Sequence, residues 1–257
     1  MTMETGEPFG PLLWRYGSGN PERTFVLAPY AGGSSFGFAE WVPPLVGPDE
    51  AALVLRYPEP RSGEDSALAA FAAEAAEAVA EAATGPLVLL GHSMGALVAY
   101  EMAVRLGRRS RSPLLLVVSA SRPPGQPAIT EAEVLGRTGE QWRAEVLAQG
   151  IVDEEMLDSP RVLDFVVSRL RANCLLAARY RPSAERVSCP LLAIGGDADA
   201  LAPPELLARW AAHTSRDFLS KTYSGGHFYY RDQLPSVCRE VLAAAGSGAA
   251  RRTERPS

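Results

Sequence analysis

Residues 86–100 read Pro-Leu-Val-Leu-Leu-Gly-His-Ser-Met-Gly-Ala-Leu-Val-Ala-Tyr: a short apolar run, then Gly-His-Ser-Met-Gly, then a helical pattern. A serine between two glycines in this strand–turn–helix context predicts a nucleophile elbow, a strained turn that lifts the Ser93 hydroxyl off the end of a sheet. Gly91 and Gly95 omit side chains where the strand and helix backbones crowd together. The alternative is a Gly/Ser-rich turn without chemistry, but the strand before it and the helix after it favour the elbow.

Apolar runs alternate with helical patterns on both sides of this motif. Further strands are predicted at residues 12–16, 24–27, 52–56, 113–118, 190–195 and 218–223, and helices at 34–41, 66–83, 94–106, 204–210 and 234–245. The continuous apolar runs are typical of a parallel sheet covered on both faces. We therefore predict a doubly wound α/β fold in a single domain over residues 1–245, followed by a small, polar and basic tail at 246–257 that is disordered.

Local signals add detail to these helices. Pro43-Pro44 is expected to end the helix at 34–41, and Gly85 to end the helix at 66–83. The helix after the elbow is apolar almost all round, which predicts a buried helix. Glu101 and Arg105 are expected to form an ion pair at its wetter end, because they stand four residues apart.

The alternation breaks between residues 121 and 187, where no convincing strand is found. Residues 130–133 read Thr-Glu-Ala-Glu and predict a capping box, and residues 140–148 form a helical pattern around Trp142. Ser159-Pro160 opens a long helix to about residue 180, with the serine as its cap. This helix is apolar on two sides, so we expect it to contact the core below and a pocket beside it. We interpret residues 121–187 as a helical insertion, the lid segment; additional core is the alternative.

Composition excludes several classes of protein. The chain has 257 residues, 47% of them hydrophobic, and a net charge of −5 without a dense Lys/Arg block, so nucleic acid is not an expected partner. No apolar run is long enough to span a bilayer, and residues 1–8 do not resemble a signal peptide, so we expect no membrane association. The three cysteines, Cys174, Cys189 and Cys238, are far apart, which argues against a metal site and fits a reducing cytoplasm. We expect a monomer with neither metal nor cofactor.

A serine hydroxyl needs a base to remove its proton, and the base needs a third group that holds its tautomer. The chain has three histidines. His92 lies inside the elbow and should point elsewhere, and His213 is expected at a solvated helix end. His227 follows the last predicted strand in a glycine-rich loop, at the sheet edge where catalytic loops gather. His227 is therefore the predicted base, with a structural loop histidine as the alternative.

The acid is expected between Ser93 and His227 in the chain. Asp197 and Asp199 both follow the strand at 190–195, and one of the two is expected only to hold the local backbone. The oxyanion hole needs two backbone N–H donors. We predict Met94, directly after the nucleophile, and Ala31, in the loop after an early strand, with Tyr30 as the alternative to Ala31.

At this point the sequence resembles the type II thioesterases, the stand-alone hydrolases that accompany polyketide synthases and non-ribosomal peptide synthetases. The matching segments are 29–34 (Pro-Tyr-Ala-Gly-Gly-Ser), 91–96 (Gly-His-Ser-Met-Gly-Ala), 170–173 (Leu-Arg-Ala-Asn) with Tyr180, 196–199 (Gly-Asp-Ala-Asp) and 225–229 (Gly-Gly-His-Phe-Tyr). They span nearly the whole chain in the family's order. Together, the Ala-Gly-Gly-Ser loop and the Gly-His-Ser-Met-Gly elbow are far more specific than a lone G-x-S-x-G.

The resemblance implies an α/β-hydrolase fold, a helical lid and Asp199 as the catalytic acid. It also implies removal of acyl groups from the phosphopantetheine arm of acyl or peptidyl carrier proteins, as an editing or release step. Two departures concern the pocket mouth: many members have histidine at Tyr30, and many have Pro-Gly-Arg where this chain has residues 57–61. A related subfamily takes its acid from the strand after the elbow, but Ser119-Ala120-Ser121 has no carboxylate there.

Two other functions fit parts of the same pattern. An oxygen-ester or lipase-like serine hydrolase shares the fold, and fold alone does not separate it from a thioesterase. A non-catalytic carrier-binding protein shares the expected partner, although an intact Ser-Asp-His set argues against it.

Overall fold

The computed structural model describes residues 6–58, 68–151 and 159–253, and an eight-stranded sheet runs through them. The strands are β1 (Glu7–Phe9), β2 (Leu13–Gly17), β3 (Arg23–Ala28), β4 (Glu50–Leu55), β5 (Leu87–His92), β6 (Leu115–Ser119), β7 (Leu191–Gly196) and β8 (Phe218–Tyr223). They lie in the order β1-β2-β4-β3-β5-β6-β7-β8. The β1–β2 and β2–β4 pairs are antiparallel and the other pairs are parallel. The predicted, mostly parallel sheet is confirmed.

Helices alternate with the parallel strands, as predicted. They are α1 (Val42–Leu45), α2 (Leu68–Ala82), α3 (Met94–Arg108), α4 (Glu131–Gly136), α5 (Gly139–Ala148), α6 (Pro160–Arg179), α7 (Pro204–Ala208) and α8 (Leu234–Thr253), with 3-10 turns at Gly37–Trp41 and Arg209–His213. No helix in the described ranges is long and apolar enough to cross a membrane.

The sheet is covered on both faces: β5, β6 and β7 are buried at every position and mostly apolar. Leu87 and Leu89 of β5 belong to a buried cluster with α2 and α3. The intervening Val88 and Leu90 belong to a second cluster with α1 and α8. Side chains alternate across a strand, so a continuous apolar run buries both faces at once. This arrangement confirms the doubly wound fold.

The carboxyl ends of the parallel strands bring the candidate residues to one edge of the sheet. Register pairs His92 at the end of β5 with Ser119 at the end of β6. Register likewise pairs Gly196 at the end of β7 with Tyr223 at the end of β8. The loops that carry Ser93, Asp199 and His227 therefore leave the same edge of the sheet, after β5, β7 and β8.

The lid segment holds α4, α5 and α6 and contains no strand among its described residues. Thr130 forms the predicted capping box with Glu133, and Thr138 forms a second one with Gln141. Ser159 precedes Pro160 as predicted, but its side chain makes no capping hydrogen bond. The segment has a small core of its own, formed by Val134, Trp142, Val146, Leu170 and Ala178.

Two local predictions near the N-terminus are wrong. β1 was not expected, because all three of its residues are exposed and show no apolar pattern. Pro43 and Pro44 do not end a helix; they lie in the first turn of α1, directly after the 3-10 turn. The first turn of a helix leaves its N–H groups without intrahelical partners, so proline is tolerated there.

Glu101 is buried instead of solvated. Its Oε1 accepts hydrogen bonds from the Tyr180 hydroxyl at 2.7 Å and from the Ser183 N–H at 3.2 Å, while Arg105 donates to the Ala69 carbonyl. The end of the lid segment therefore crosses α3 at Glu101, a contact that helix periodicity does not report. His213 is also half-buried, in edge contact with the rings of Tyr100 and Trp210.

The ends of two helices also differ from prediction. α8 continues to Thr253, eight residues beyond the predicted boundary. The extension passes through Gly246 and Gly248, which disfavour a helix, and ends in the helix-favouring run Ala249-Ala250-Arg251-Arg252. This finding corrects the expected start of the tail; residues 254–257 lie outside the described residues. α2 is described from Leu68, so the predicted first turn at 66–67 lies outside them too.

Candidate active site

Ser93 lies in a strained turn between β5 and α3. Its backbone has φ 56° and ψ −122°, a conformation that costs an L-residue on the order of 1–3 kcal/mol. Packing enforces the turn: a Cβ on Gly91 would lie 2.1 Å from the Gly95 carbonyl oxygen, and a Cβ on Gly95 would lie 2.1 Å from the Ala28 carbonyl oxygen. The two glycines therefore do what the sequence predicts, and the elbow is confirmed as a structure.

The structure brings Ser93, His227 and Asp199 into one hydrogen-bonded line. Ser93 Oγ is 3.0 Å from His227 Nε2, and His227 Nδ1 is 2.8 Å from Asp199 Oδ2. A carboxylate can only accept, so His227 donates from Nδ1 and leaves Nε2 to accept from the serine hydroxyl. The arrangement has the base and the orienting acid that an activated serine requires.

Asp199 is held as a carboxylate. Its side chain is buried, and its second oxygen, Oδ1, accepts from the N–H groups of Leu201 at 2.8 Å and Ala202 at 3.1 Å. Burial raises the pKa of Asp199. The hydrogen bond from His227, the electrostatic attraction of that imidazole and the two backbone donors outweigh burial, so the pKa of Asp199 lies below its ordinary value.

Asp197 has a different role. It is exposed and accepts a hydrogen bond from the Gly225 N–H at 3.0 Å, which fixes the loop that carries His227. One aspartate of the pair faces the histidine and the other holds local backbone, as the sequence predicts.

His92 lies behind the site and stays neutral. It is buried, with Nδ1 2.8 Å from Ser119 Oγ, and that hydroxyl is 2.8 Å from the Tyr229 hydroxyl. Burial, together with the nearby His227 and Arg231, holds the pKa of His92 well below its ordinary value. The carboxyl end of β6, the strand from which a related subfamily takes its acid, thus carries the Ser119 hydroxyl, which contacts His92.

A cavity of about 140 Å³ opens beside Ser93. Both predicted oxyanion residues, Met94 and Ala31, line it, and so does the alternative, Tyr30. Gly33 donates to the Tyr30 carbonyl at 3.0 Å, and Gly32 has φ +80°, so the Tyr30–Gly33 loop is a tight turn. The two predicted oxyanion residues and the nucleophile therefore line the same cavity.

The lid segment contributes polar groups to this cavity that the sequence did not single out. Arg137 is 3.3 Å from Glu145, which also accepts from Gln149, and all three side chains line the cavity. Asn173 was noted only as part of a motif; its Oδ1 accepts from the Gly32 N–H at 3.0 Å. The Asn173–Gly32 contact joins residues 141 positions apart, so local patterns do not reveal it.

The two departures from the family pattern have defined positions. Tyr30 lines the cavity and is in edge contact with Phe228, with ring centroids 4.8 Å apart. Tyr57 is buried and donates from its hydroxyl to the Pro29 carbonyl at 2.7 Å, which braces the start of the same loop. Residues 59–61 lie outside the described residues. No group of three or more His, Cys, Asp or Glu side chains suited to a metal ion occurs within 6–58, 68–151 and 159–253.

A doubly wound sheet, a serine on a nucleophile elbow, acid and base in the order Ser-Asp-His, and a helical insertion before β7 define a serine hydrolase of the α/β-hydrolase fold. Sequence comparison then identifies the family. The Thioesterase domain family matches residues 23–244, so the chain belongs to that family and is a hydrolase that acts on thioesters.

Individual relatives agree with this assignment. Thioesterase PikA5 of Streptomyces venezuelae is 34% identical over 90% of this chain and 85% of its own length. Phenyloxazoline synthase MbtB of Mycobacterium tuberculosis is 30% identical over 91% of this chain, which spans 17% of that protein.

Solved structures are similar throughout. The type II thioesterase BorB from the borrelidin biosynthetic cluster has a TM-score of 0.77 at 25% identity, over 89% of this chain and 94% of its own. RedJ, a thioesterase from the prodiginine pathway of Streptomyces coelicolor, has a TM-score of 0.74 at 28% identity, over 89% of this chain and 91% of its own. The resemblance to type II thioesterases is confirmed.

Proposed function

We propose that this thioesterase hydrolyses acyl thioesters on the phosphopantetheine arm of acyl or peptidyl carrier proteins, in an editing or release step of polyketide or non-ribosomal peptide biosynthesis. The observation that carries the proposal is the Ser93–His227–Asp199 line, which opens directly onto a cavity. Relatives whose names place them in borrelidin and prodiginine biosynthesis support the biological setting.

The first half of the reaction acylates the serine. His227 Nε2 takes the proton from Ser93 Oγ as the oxygen attacks the thioester carbonyl. The carbonyl oxygen becomes an oxyanion and accepts hydrogen bonds from the Met94 and Ala31 N–H groups. When the intermediate collapses, the carbon–sulfur bond breaks and the departing thiol takes the proton from Nε2.

The second half releases the acid. A water molecule gives its proton to His227 Nε2 and attacks the acyl-serine carbonyl, and the same two N–H groups stabilise the oxyanion. The ester bond breaks, Ser93 Oγ regains the proton from Nε2, and the carboxylic acid leaves. Asp199 stays ionised throughout; it holds Nδ1–H and stabilises the imidazolium formed in each half.

A panel of carrier proteins loaded with different acyl groups tests the proposal. We expect the wild-type protein to release free acid from carrier-bound thioesters, and Ser93→Ala to release none. A matched series of oxygen esters with the same acyl groups is the comparison. Faster hydrolysis of the oxygen esters would assign the protein to the lipase-like alternative. A wild-type protein that hydrolyses neither series and resists labelling by a serine-directed fluorophosphonate would be a carrier-binding protein without catalysis.

We also propose that the reaction takes place in the cytoplasm and that the enzyme acts as a monomer. A reducing compartment is supported by the cysteines: Cys174, Cys189 and Cys238 all lie in the part of the chain that the structure describes, and they form no disulfide there.

A further inference from the structure

One turn of the lid helix α6 contacts the Tyr30–Gly33 loop through two hydrogen bonds and one packing contact. Asn173 is buried, and its Oδ1 accepts from the Gly32 N–H at 3.0 Å although the two residues are 141 positions apart. Arg169 donates to the Gly33 carbonyl at 3.3 Å. Leu170 packs on Gly32 so closely that a Cβ there would lie 3.2 Å from the Leu170 Cβ. Three side chains of one helix thus fix two consecutive glycines.

The loop needs such a brace because two of its residues are glycines. Glycine has the widest conformational freedom, and Gly32 already uses a positive φ that other residues avoid. Inside the loop, the Gly33 N–H donates to the Tyr30 carbonyl, which closes the turn but does not fix the Gly32 N–H. An oxyanion donor must be held to within about 0.5 Å of its productive position. The Asn173 oxygen supplies the missing constraint next to Ala31.

We propose that Asn173 is a positioning residue for the oxyanion hole: its carboxamide oxygen fixes the Gly32 N–H and thereby orients the neighbouring Ala31 N–H toward the thioester oxygen. The inference rests on the proposed function, because it assigns the oriented donor a role in thioester hydrolysis. Asn173 acts through the loop and does not touch the substrate.

Because Asn173 lies on α6, which also lines the acyl cavity, the cavity and the oxyanion hole are coupled through this helix. Leu170 and Cys174 of α6 line the cavity beside Ser93, on either side of Asn173 in sequence. An acyl group that pushes α6 outward therefore moves Asn173 away from Gly32 and lets the Ala31 donor lose alignment. A poorly fitting acyl group should lower kcat, because the loss falls on the transition state rather than on binding.

Substitution of Asn173 separates this role from general packing. Asn173→Leu keeps the size but removes the acceptor, and we expect kcat to fall roughly 10- to 100-fold with KM within about twofold, less than the 10²–10³ lost when a donor is deleted outright. Asn173→Asp keeps an acceptor oxygen and should recover kcat to within about threefold of wild type. Should Asn173→Leu fail to fold, Asn173→Ala removes the acceptor without adding bulk and carries the same expectation.

Glu131→Gln is the matched control. It removes an ion pair between α4 and Arg179 of α6, inside the lid segment, without touching the loop. We expect its kcat to equal that of wild type.

Two further measurements do not depend on turnover. Hydrogen exchange followed by NMR should show faster exchange of the Gly32 amide in Asn173→Leu, and unchanged exchange in Glu131→Gln. An alkylboronic acid, which forms a tetrahedral adduct on the serine, should lose affinity for Asn173→Leu by about the factor lost in kcat, whereas a thioether substrate analogue should bind as to wild type.

The outcomes separate the two claims. A wild-type enzyme that hydrolyses thioesters, together with an Asn173→Leu variant of equal kcat, would overturn the positioning role alone. An Asn173→Asp variant as impaired as Asn173→Leu would also overturn it, because the acceptor would then not matter. A wild-type protein without thioesterase activity would overturn the proposed function and this inference together.

Discussion

At the scale of single residues, the site combines a serine in a strained backbone conformation with an aspartate whose two carboxylate oxygens both accept hydrogen bonds. The strain at Ser93 is maintained by glycines that leave no room for another path of the backbone. Asp199 has hydrogen bonds to both oxygens, one toward His227 and one toward the backbone. The elbow stores conformational energy, and the carboxylate fixes the tautomer of the base.

Removal of the Ser93 or the His227 side chain should abolish catalysis and leave the fold intact. Ser93→Ala and His227→Ala should each remove nearly all hydrolysis, because the serine is a poor nucleophile without its base. The double variant should be little worse than either single one, because members of a triad act as a unit. Steady-state rates of the three variants, with circular dichroism as the fold control, check this prediction. Losses that multiply would show that the residues act independently.

The two aspartates should differ sharply in their effects. Asp199→Asn keeps the shape but presents an amide to His227 Nδ1, which favours the wrong tautomer and should lower kcat by roughly 10⁴. Asp197→Asn is the matched control, since Asp197 only accepts from the Gly225 N–H, and it should cost less than about tenfold. Comparison of the two kcat values decides, and the reverse order would exchange the two assignments.

A residue's role can be predicted from sequence where it depends on a local motif or on the order of motifs along the chain. Ser93 and His227 follow particular strands, so the chain order is sufficient to nominate them. The chain order narrows the acid only to Asp197 or Asp199, and the family resemblance selects Asp199. Asn173 and Glu101 act through contacts 141 and 79 residues away, which arise only when the lid segment packs on the sheet domain. No local periodicity encodes such a contact.

At the scale of elements, the parallel strands and the lid segment differ in how they are stabilised. The central strands are buried on both faces, and this is why continuous apolar runs predicted them with end points within two residues. β1 was missed because an exposed edge strand needs no apolar residues. The lid segment rests on a small core and exposes Leu135, Leu147, Val162 and Phe165. Such a thin core predicts a lower local stability.

The lid segment should open more readily than the sheet. A cavity of about 140 Å³ is close to the volume that holds one benzene molecule, so a longer acyl group requires the lid segment to move. Hydrogen exchange followed by mass spectrometry should show faster exchange in residues 121–187 than in β5, β6 and β7. The α3 helix, buried but outside the lid segment, serves as the control. Equal protection of the lid segment and the central strands would contradict a moving lid.

At the scale of the whole molecule, arginines are distributed unevenly over an acidic protein with a net charge of −5. The two exposed arginines at the end of α3 each pair with a carboxylate, Arg108 with Glu185 and Arg109 with Glu77, while the half-buried Arg111 donates to backbone carbonyls. Along α6 and its exit, Arg179 pairs with Glu131, whereas the exposed Arg181 donates to backbone oxygens, which do not neutralise its charge, and Arg171 is exposed. The exposed positive charge at Arg171 and Arg181 is therefore less neutralised than that at Arg108 and Arg109.

This asymmetry predicts where a carrier protein docks. The family resemblance implies acidic carrier proteins, and like net charges repel, so docking needs a local basic surface. Of the two clusters, the one at Arg169, Arg171, Arg179 and Arg181 lies on and just after α6, the helix whose Leu170, Cys174 and Ala177 line the cavity. Arg171→Glu should raise KM for carrier-bound substrates about two- to tenfold and leave small soluble thioesters unaffected. Arg109→Glu, in the other cluster at Arg105, Arg108, Arg109 and Arg111, is the matched control and should change neither.

Added salt should weaken the carrier reaction selectively, because exposed charge pairs are screened within about 10 Å at roughly 0.1 M. Equal effects of Arg171→Glu on carrier-bound and soluble substrates would exclude docking through the lid helix.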